Sequence, residues 1–517
     1  MQQSEGGMRR ENLLFPLQGE PTLSRLLQVS LARFVPLGLL VIVSSLLAGV
    51  IIKTNGNTYA AAGLLVLVTI LVVSGYRTVW GFYIFIFFVL LFDQFGPPGF
   101  LDVTSQTFFF SNLNMIPYLP RFDQGVVNPL EVLLFMVMFS WLICSAIRRE
   151  LSFTSPKNGY ALLLFLAIIL AFGYGMTRGG DFVISLWETR AFFYLGLMLL
   201  FVPQVLTTKK QLEGLVWIFI VTISFKALQG VYRFASLGFG FGHWPNIYET
   251  LTNHEDPVFF VTLFVLMIGL TVFKANRNQR YTLYWLSGIL VIGFVAGQRR
   301  AAYASLMASI CVLIVLIPKK ERNAFLKGFL VFVIFFAAYL AAFWNSQSKV
   351  GSVAAQFKAT VTGEGGIRGE QDYNSTIYRL MENYNLAYTF RSAPIIGRGF
   401  GMPFETPLRL WNININKLGN YIPHNQILWI FVKMGVLGAL AFWMFINSFV
   451  YRGTRVFIKL SDPYLKAVAL MCVVAVVNQL IVSSVDMQLT WYRNMIYLGT
   501  LMALVPVIEK LDVETKK

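Results

Sequence analysis

Charge is scarce in this 517-residue chain. Only 13% of its residues are Asp, Glu, Lys or Arg, while 56% are hydrophobic; a soluble domain carries about twice that charge. Apolar runs recur along the chain, each long enough to approach or cross a hydrocarbon core of ~30 Å. They do not alternate polar with apolar, which excludes a transmembrane β-barrel of short dyad-period strands. Acidic residues are scarcer still, 25 against 42 Lys plus Arg, for a net charge of +17. In a soluble protein that excess points to nucleic acid. Between membrane spans, basic residues set orientation, so no nucleic-acid partner is expected. The three cysteines, Cys144, Cys311 and Cys472, all fall within apolar runs, which excludes a disulfide framework and favours small core residues. No H-E-x-x-H, cysteine–histidine cluster or Asp-rich motif supplies a metal site, and no cofactor is expected. Residues 1–32 are polar and mixed, so no cleavable signal peptide is expected.

The runs predict an all-α polytopic membrane protein with about 14 spans (roughly 12–14). They lie near 34–52, 58–75, 78–94, 126–147, 159–176, 186–206, 212–235, 258–274, 281–297, 301–318, 325–344, 425–449, 464–485 and 490–508. With the N-terminal segment 1–33 inside, nearly every short basic cluster falls on one side: Arg77, Arg148 with Arg149, Lys209 with Lys210, Lys274 with Arg280, Lys319 with Lys320, and Arg452 with Arg455. That alternation predicts an even count, with the 509–517 tail also cytoplasmic. Three larger segments then lie outside: 95–125, 236–257 and 345–424. The last is rich in Gly, Asn and charge, and a loop of that length in a bundle is usually functional or disordered. No internal repeat supports inverted-repeat transporter symmetry.

Candidate chemistry collects on the expected outer side. "AGQRRAAYASL" places Arg299 and Arg300 between two spans; arginines snorkel at any interface, but the positive-inside rule disfavours such a pair there. In "DYNSTIYRLMENYNLAYTFRSAPIIGRGFG", Ser375 or Thr376 caps a predicted helix bearing Tyr378, Arg379 and Glu382, and Pro394 ends it. Gly397, Gly399 and Gly401 then permit tight turns, either as a weak phosphate-loop signal or as a re-entrant turn packed on the bundle. His424 precedes Asn425, a good N-cap for the next span. Capping explains the asparagine and leaves the histidine, the usual general base near neutral pH, unexplained. Lys433 lies roughly 12 Å along that helix. Lys226 and Arg233 share a face of an earlier span, where they line a path outward or pair with a carboxylate such as Glu188. Arg190 sits at an outer helix end near Glu188. Converging with His424, the arginines 190, 233, 299, 300, 379, 391 and 398 would suit a lipid-linked phosphate or pyrophosphate, neutralising charge as a divalent cation does elsewhere.

"RLMENYNLAYTFRSAPIIGRGFGMPF" followed by "HNQILWIFVKMGVLG" resembles the signature of the O-antigen ligase and polymerase superfamily. There an arginine-bearing helix precedes a P-x-x-G-x-G-x-G turn, a variable stretch, H-N-x-x-L and a G-x-x-G helix. "GQRRAAYASL" resembles that family's S-R element, and the similar region covers about 285–440. The resemblance implies a GT-C type membrane glycosyltransferase. It would move a glycan from undecaprenyl diphosphate to an acceptor hydroxyl outside the bacterial plasma membrane, inverting the anomeric centre without metal. Arg300 (or Arg299) and Arg379 would bind the pyrophosphate. His424 would activate the acceptor or hold the donor phosphate. Two features depart from the pattern: "QRR" leaves the arginine register ambiguous, and Lys433 stands where relatives often carry an acid.

Arg190, Arg233, Lys226, Arg398, Tyr378, Asn425 and Lys433 complete the expected pyrophosphate- and glycan-binding set. The expected partners are the lipid-linked glycan donor, a glycan or lipid acceptor, the bilayer and other polysaccharide-assembly proteins. The span count and long outer loop favour polymerisation of repeat units over ligation to lipid A–core or another acceptor. A transporter or flippase of an anionic or lipid-linked substrate would suit Lys226 and Lys433. It is disfavoured by the missing repeats and by motif residues gathered on one face.

Overall fold

The structure is a computed structural model that describes residues 41, 44–49, 51–53, 56, 58–96, 100, 102–116, 126–147, 159–238, 251–297, 299–346, 348, 350–362, 369–411 and 418–515. The expected N-terminal segment, most of the first expected span, the middle of 236–257, and Arg148 and Arg149 lie outside them. Two compact units are distinguished, one of residues 1–69 with 117–122 and the other of residues 70–116 with 123–517. The smaller holds an apolar helical stretch within Ser44–Lys53. Apart from the first part of the first helix below, all that follows concerns the larger.

Among the described residues the secondary structure is helical, with no strand. The helices are α1 (Thr58–Tyr76), α2 (Thr78–Leu91), α3 (Pro129–Ile147), α4 (Gly159–Thr177), α5 (Phe182–Val205), α6 (Lys209–Ser236), α7 (Asp256–Val272), α8 (Arg277–Ala296), α9 (Arg300–Leu316), α10 (Lys319–Phe343), α11 (Ser352–Thr362), α12 (Gly369–Ser392), α13 (Gln426–Lys459), α14 (Pro463–Ser483) and α15 (Tyr492–Thr515). A helix thus stands at every expected span from 58–75 onward. Seven (α3, α4, α5, α6, α10, α13 and α14) are long and apolar enough to cross a membrane. Shorter apolar stretches lie in α1 (Ala61–Tyr76), α2, α7 and α9, and α15 carries charge, with Arg493 among it.

Apolar faces bury against one another around α14, α15, α5 and α7, where Val468, Leu470, Met471, Ile496 and Leu501 are inaccessible. α15 runs along α5, α14 along α7, and α6 along α8. Small residues let the backbones approach: a Cβ on Gly499 would lie 2.9 Å from Leu195 Cα, and one on Gly293 2.9 Å from Ala227 Cα. Helix starts follow local chemistry. Thr208 and Gln211 form a capping box at α6, Asp462 caps α14, and the Asn425 side chain accepts from Leu428 N–H at α13. The last is the cap expected from sequence.

α12 differs from expectation at its start. It begins at Gly369, so Ser375 and Thr376 lie inside it, not at its cap. Thr376 Oγ1 instead accepts from Arg300 Nη2 at 3.3 Å. α12 ends at Ser392, just before Pro394, as the proline requires.

α13 is broken at Gly435, whose φ of 63° and ψ of −167° lie outside helical space. A helix break inside an apolar bundle strands N–H and C=O groups that must find partners. The Pro394–Gly399 segment supplies them. Arg398 N donates to Val432 O (2.8 Å) and Gly399 N to Lys433 O (3.0 Å). Val436 N and Leu437 N donate to Pro394 O (2.8 Å) and Ile395 O (3.2 Å). Beyond the break, Phe400 N donates to Ala171 O at 3.2 Å and Asp181 N to Gly401 O at 3.0 Å, fixing the segment to α4 and the start of α5. Of the two readings of the glycine triplet, the structure shows the packed turn. A Cβ on Gly397 would lie 2.6 Å from Gly435 N, and one on Gly435 would collide with the Ile395 carbonyl.

Beneath this clasp Lys433 and Glu188 form a fully buried ion pair, Nζ to Oε1 2.6 Å. Lys433 also donates to Met402 O, and Glu188 Oε2 accepts from Gly401 N. The lysine and the glutamate each bind both the partner side chain and the clasp backbone.

Gly435→Ala should lower stability by roughly 1–3 kcal/mol through backbone strain, read as a lower melting temperature in detergent. Gly288→Ala, where a Cβ meets nothing within 4 Å, should leave the melting temperature unchanged or slightly raised. Equal melting of wild type and Gly435→Ala would refute the strained break. Lys433→Met and Glu188→Gln should each cost about 3–5 kcal/mol by stranding a buried charge. The double variant should recover about 1–3 kcal/mol of coupling; purely additive losses would count against the pair.

Candidate active site

A cleft of about 270 Å³ opens where five segments meet. Gln94 and Phe95 follow α2, and Trp187 comes from α5. Tyr378 and Glu382 come from α12, Leu418–His424 lead into α13, and Met487, Thr490 and Trp491 lie between α14 and α15. Polar contacts hold these segments in register. Gln426 Nε2 donates to Thr490 Oγ1 at 2.7 Å, Tyr492 N to Gln94 Oε1 at 2.7 Å, and Gln488 Nε2 to the His254 carbonyl at 3.1 Å.

His424 is on this cleft and its ring is fixed. The Glu382 carboxylate accepts from His424 N–H at 3.0 Å, and its Oε1 lies 3.2 Å from Nδ1. Tyr378 meets the imidazole edge-on at 5.8 Å between centroids and meets Trp411 likewise at 5.9 Å. Burial, with Glu382 adding to it, pushes the Tyr378 phenol up to about 12, so it is a neutral donor through the physiological range. Asn425 Nδ2 donates to Asn383 Oδ1 at 3.1 Å, tying α13 to α12 beside the histidine. A carboxylate accepting Nδ1–H leaves Nε2 as the basic atom of the ring.

A second histidine lies near the first. His254 Nδ1 is 3.1 Å from Asp486 Oδ2, and Arg299 Nη1 is 3.6 Å from the same oxygen. Burial alone would push the Asp486 carboxyl up, but His254, Arg299 and His424 together hold it well below the usual carboxylate range. Burial and the Arg299 charge push the His254 imidazole down, against the pull of Asp486. Trp491, a cleft wall, packs its ring 5.1 Å from that of His254. His254, Asp486 and Glu382 were missed as site residues in the sequence. Their signals were a histidine in a chain that has only three, a lone acid between two apolar runs, and a glutamate one helical turn beyond Tyr378 and Arg379.

The expected arginines separate into groups. Arg300 begins α9 and reaches Thr376 on α12. Arg379 lies one turn beyond Thr376 and one turn before Glu382, so Thr376, Arg379 and Glu382 share a stripe of α12. Arg299, Arg300, Arg379 and His424 thus belong to elements that meet around α12 and the 484–491 loop. Arg398 lies in the clasp, paired with Glu405, and Lys433 lies beneath it.

Lys226, Arg233 and Arg190 go elsewhere. Lys226 Nζ binds Asp93 Oδ1 at 2.6 Å, and Arg233 pairs with Asp102 and donates to Leu251 O at 2.9 Å. Arg493 completes this buried network against Glu255 and Asp256, each at 3.2 Å. The carboxylate anticipated for Lys226, Glu188, is the partner of Lys433. Arg190 takes Glu131 at 3.4 Å, not Glu188, and donates to Asn112 Oδ1 and Val126 O. Each of the three cations is paired with a carboxylate, as charges at such depth require.

Among the described residues no group of three or more His, Cys, Asp or Glu is placed to hold a metal ion. None of the three cysteines is bonded to another, and only Cys472 is fully buried.

Residues 285–443 match the family model described as O-Antigen ligase. No curated protein matches the chain. The matched stretch contains Arg299, Arg300, Arg379, the clasp and the His424–Glu382 pair. Over this segment the chain is similar to the O-antigen ligase family, which supports the resemblance to the O-antigen ligase and polymerase superfamily.

Proposed function

We propose that this chain is a GT-C type glycosyltransferase of the bacterial plasma membrane, passing a glycan from undecaprenyl diphosphate to an acceptor hydroxyl at the extracytoplasmic face. The observation that carries the reading is the Glu382–His424 pair on an aromatic-walled cleft, inside the matched segment and beside an arginine-bearing stripe. Glu382 accepts Nδ1–H, so Nε2 can take the acceptor proton as the hydroxyl oxygen attacks the anomeric carbon. The bond from that carbon to the diphosphate oxygen breaks. The electron pair leaves with undecaprenyl diphosphate, whose charge Arg300 and Arg379 neutralise, with Arg299 alongside. One direct displacement inverts the anomeric centre. Trp187, Trp491 and Tyr378 offer flat apolar faces and polar edges for sugar rings. The alternation of basic clusters supports both termini, and the end of the bundle opposite the cleft, on the cytoplasmic side.

Polymerisation, in which the acceptor is a second lipid-linked repeat unit, is the first reading, supported by the large number of apolar helices and the length of the 345–424 segment. Ligation of finished glycan to lipid A–core or another acceptor is the second, favoured by the description of the matched family.

The test uses purified protein in lipid with undecaprenyl-diphosphate oligosaccharide. Wild type should build longer lipid-linked glycans; activity only on addition of lipid A–core would make it a ligase. His424→Ala should lower transfer by about 10²–10⁴-fold while donor binding stays within a few-fold. Glu382→Gln should lower turnover more than it alters donor binding. Wild-type rates in both variants, or no transfer with any acceptor, would overturn the assignment, and the latter would favour transport. Excess chelator should leave the wild-type rate unchanged; a loss restored by Mg²⁺ would contradict metal independence.

A further inference from the structure

The end of the bundle opposite the cleft holds a second, larger opening. α7 links the two. It starts beside His254, and its 17 residues carry it about 25 Å at ~1.5 Å per residue, close to one hydrocarbon thickness. At its far end, a groove of about 900 Å³ lies between α7, the start of α8, the first turns of α10 and the start of α14.

The groove has an apolar floor and a basic rim. Met267, Ile268, Phe325 and Phe329 line its wall, while Lys274, Lys320 and Lys466 stand around its mouth. None of the three lysines forms an ion pair among the described residues. Glu321 is the one carboxylate in the lining, which leaves the rim at net +2. Two acids beside the start of α14 have other partners: Asp462 pairs with Lys209 at 2.5 Å, and Asp512 accepts from Ser461. Thr271 and Tyr284 bring a hydroxyl pair, 2.7 Å apart, to the same lining. α10 is a long apolar helix with no buried residue. Its main contacts with the bundle are to α7 and α11, and the groove lies open between its first turns and the start of α14.

Three cations that form no ion pair among the described residues, set at helix ends along an apolar groove, match one occupant by charge and by shape. We propose that this groove is a binding site for an anionic phospholipid of the leaflet opposite the cleft. Its headgroup phosphate sits among Lys274, Lys320 and Lys466, and an acyl chain lies along Phe325 and Phe329. Basic pockets between membrane helices hold acidic headgroups in this way, and the volume is within the range of built ligand pockets. The bound lipid tethers α10 to α7 and α14 by filling the gap between them. The proposal rests on the membrane reading and is independent of the glycan-transfer assignment.

The full chain is reconstituted in nanodiscs of phosphatidylcholine with a minor fraction of phosphatidylglycerol. Retained lipid is measured by native mass spectrometry. Wild type should retain phosphatidylglycerol in preference to phosphatidylcholine. Lys274→Ala/Lys320→Ala/Lys466→Ala should lose about tenfold of that preference, and the charge-preserving Arg triple should keep it with the same melting temperature as wild type. Absence of preference in wild type, or equal preference in the Ala triple, would overturn the site. Displacement by millimolar glycerol phosphate would overturn the lipid assignment in favour of a soluble phosphate ligand.

Discussion

The break in α13 is the constraint from which the rest of the site follows. An apolar helix that stops at Gly435 exposes carbonyls at Val432 and Lys433 and N–H groups at Val436 and Leu437. Without water, each unpartnered group costs several kcal/mol. The Pro394–Gly399 segment pairs with all four, and Lys433 and Glu188 lock the junction from below. Because the clasp directly follows α12, the same contacts set the position of α12 against α13. The glycines are required here by close backbone approach and by positive φ at 397, 399, 401 and 435, not by a phosphate.

With α12 fixed, Glu382 meets the ring and N–H of His424 across 42 residues of sequence, and Asn383 meets Asn425. The histidine is thus held at the mouth of a helix by a glutamate that selects its tautomer, while the asparagine beside it serves the helix itself. The buried network of Lys226, Arg233 and Arg493 performs a different task. It ties Asp93 and Asp102 to α6, α7 and α15, and so supports the His254–Asp486–Arg299 group and the wall that carries Trp491.

Helix positions were legible because long apolar runs admit few alternatives, and the Asn425 cap was legible because capping is local. The start of α12 was not: Ser375 and Thr376 resemble a cap, yet the helix begins earlier and Thr376 turns to Arg300. The meaning of the glycine triplet depended on a helix break that has no local signature beyond one more glycine in an apolar run. Partners were the least legible. Lys226 finds Asp93 from 133 residues away, and His254 finds Asp486 from 232; pairings of that range follow from packing, not from pattern. The resemblance marked His424, Arg300 and Arg379 but not Glu382, His254 or Asp486, since motif spacing singles out some residues of a site without naming those that orient them.

The most direct measurement is an experimental structure of the protein in lipid with an unreactive undecaprenyl-diphosphate glycan bound. The account predicts the diphosphate against Arg300 and Arg379, with the first sugar's anomeric carbon in the cleft facing His424 Nε2. A diphosphate seated instead on Lys226 and Arg233, or a glycan bound away from the Glu382–His424 pair, would contradict it.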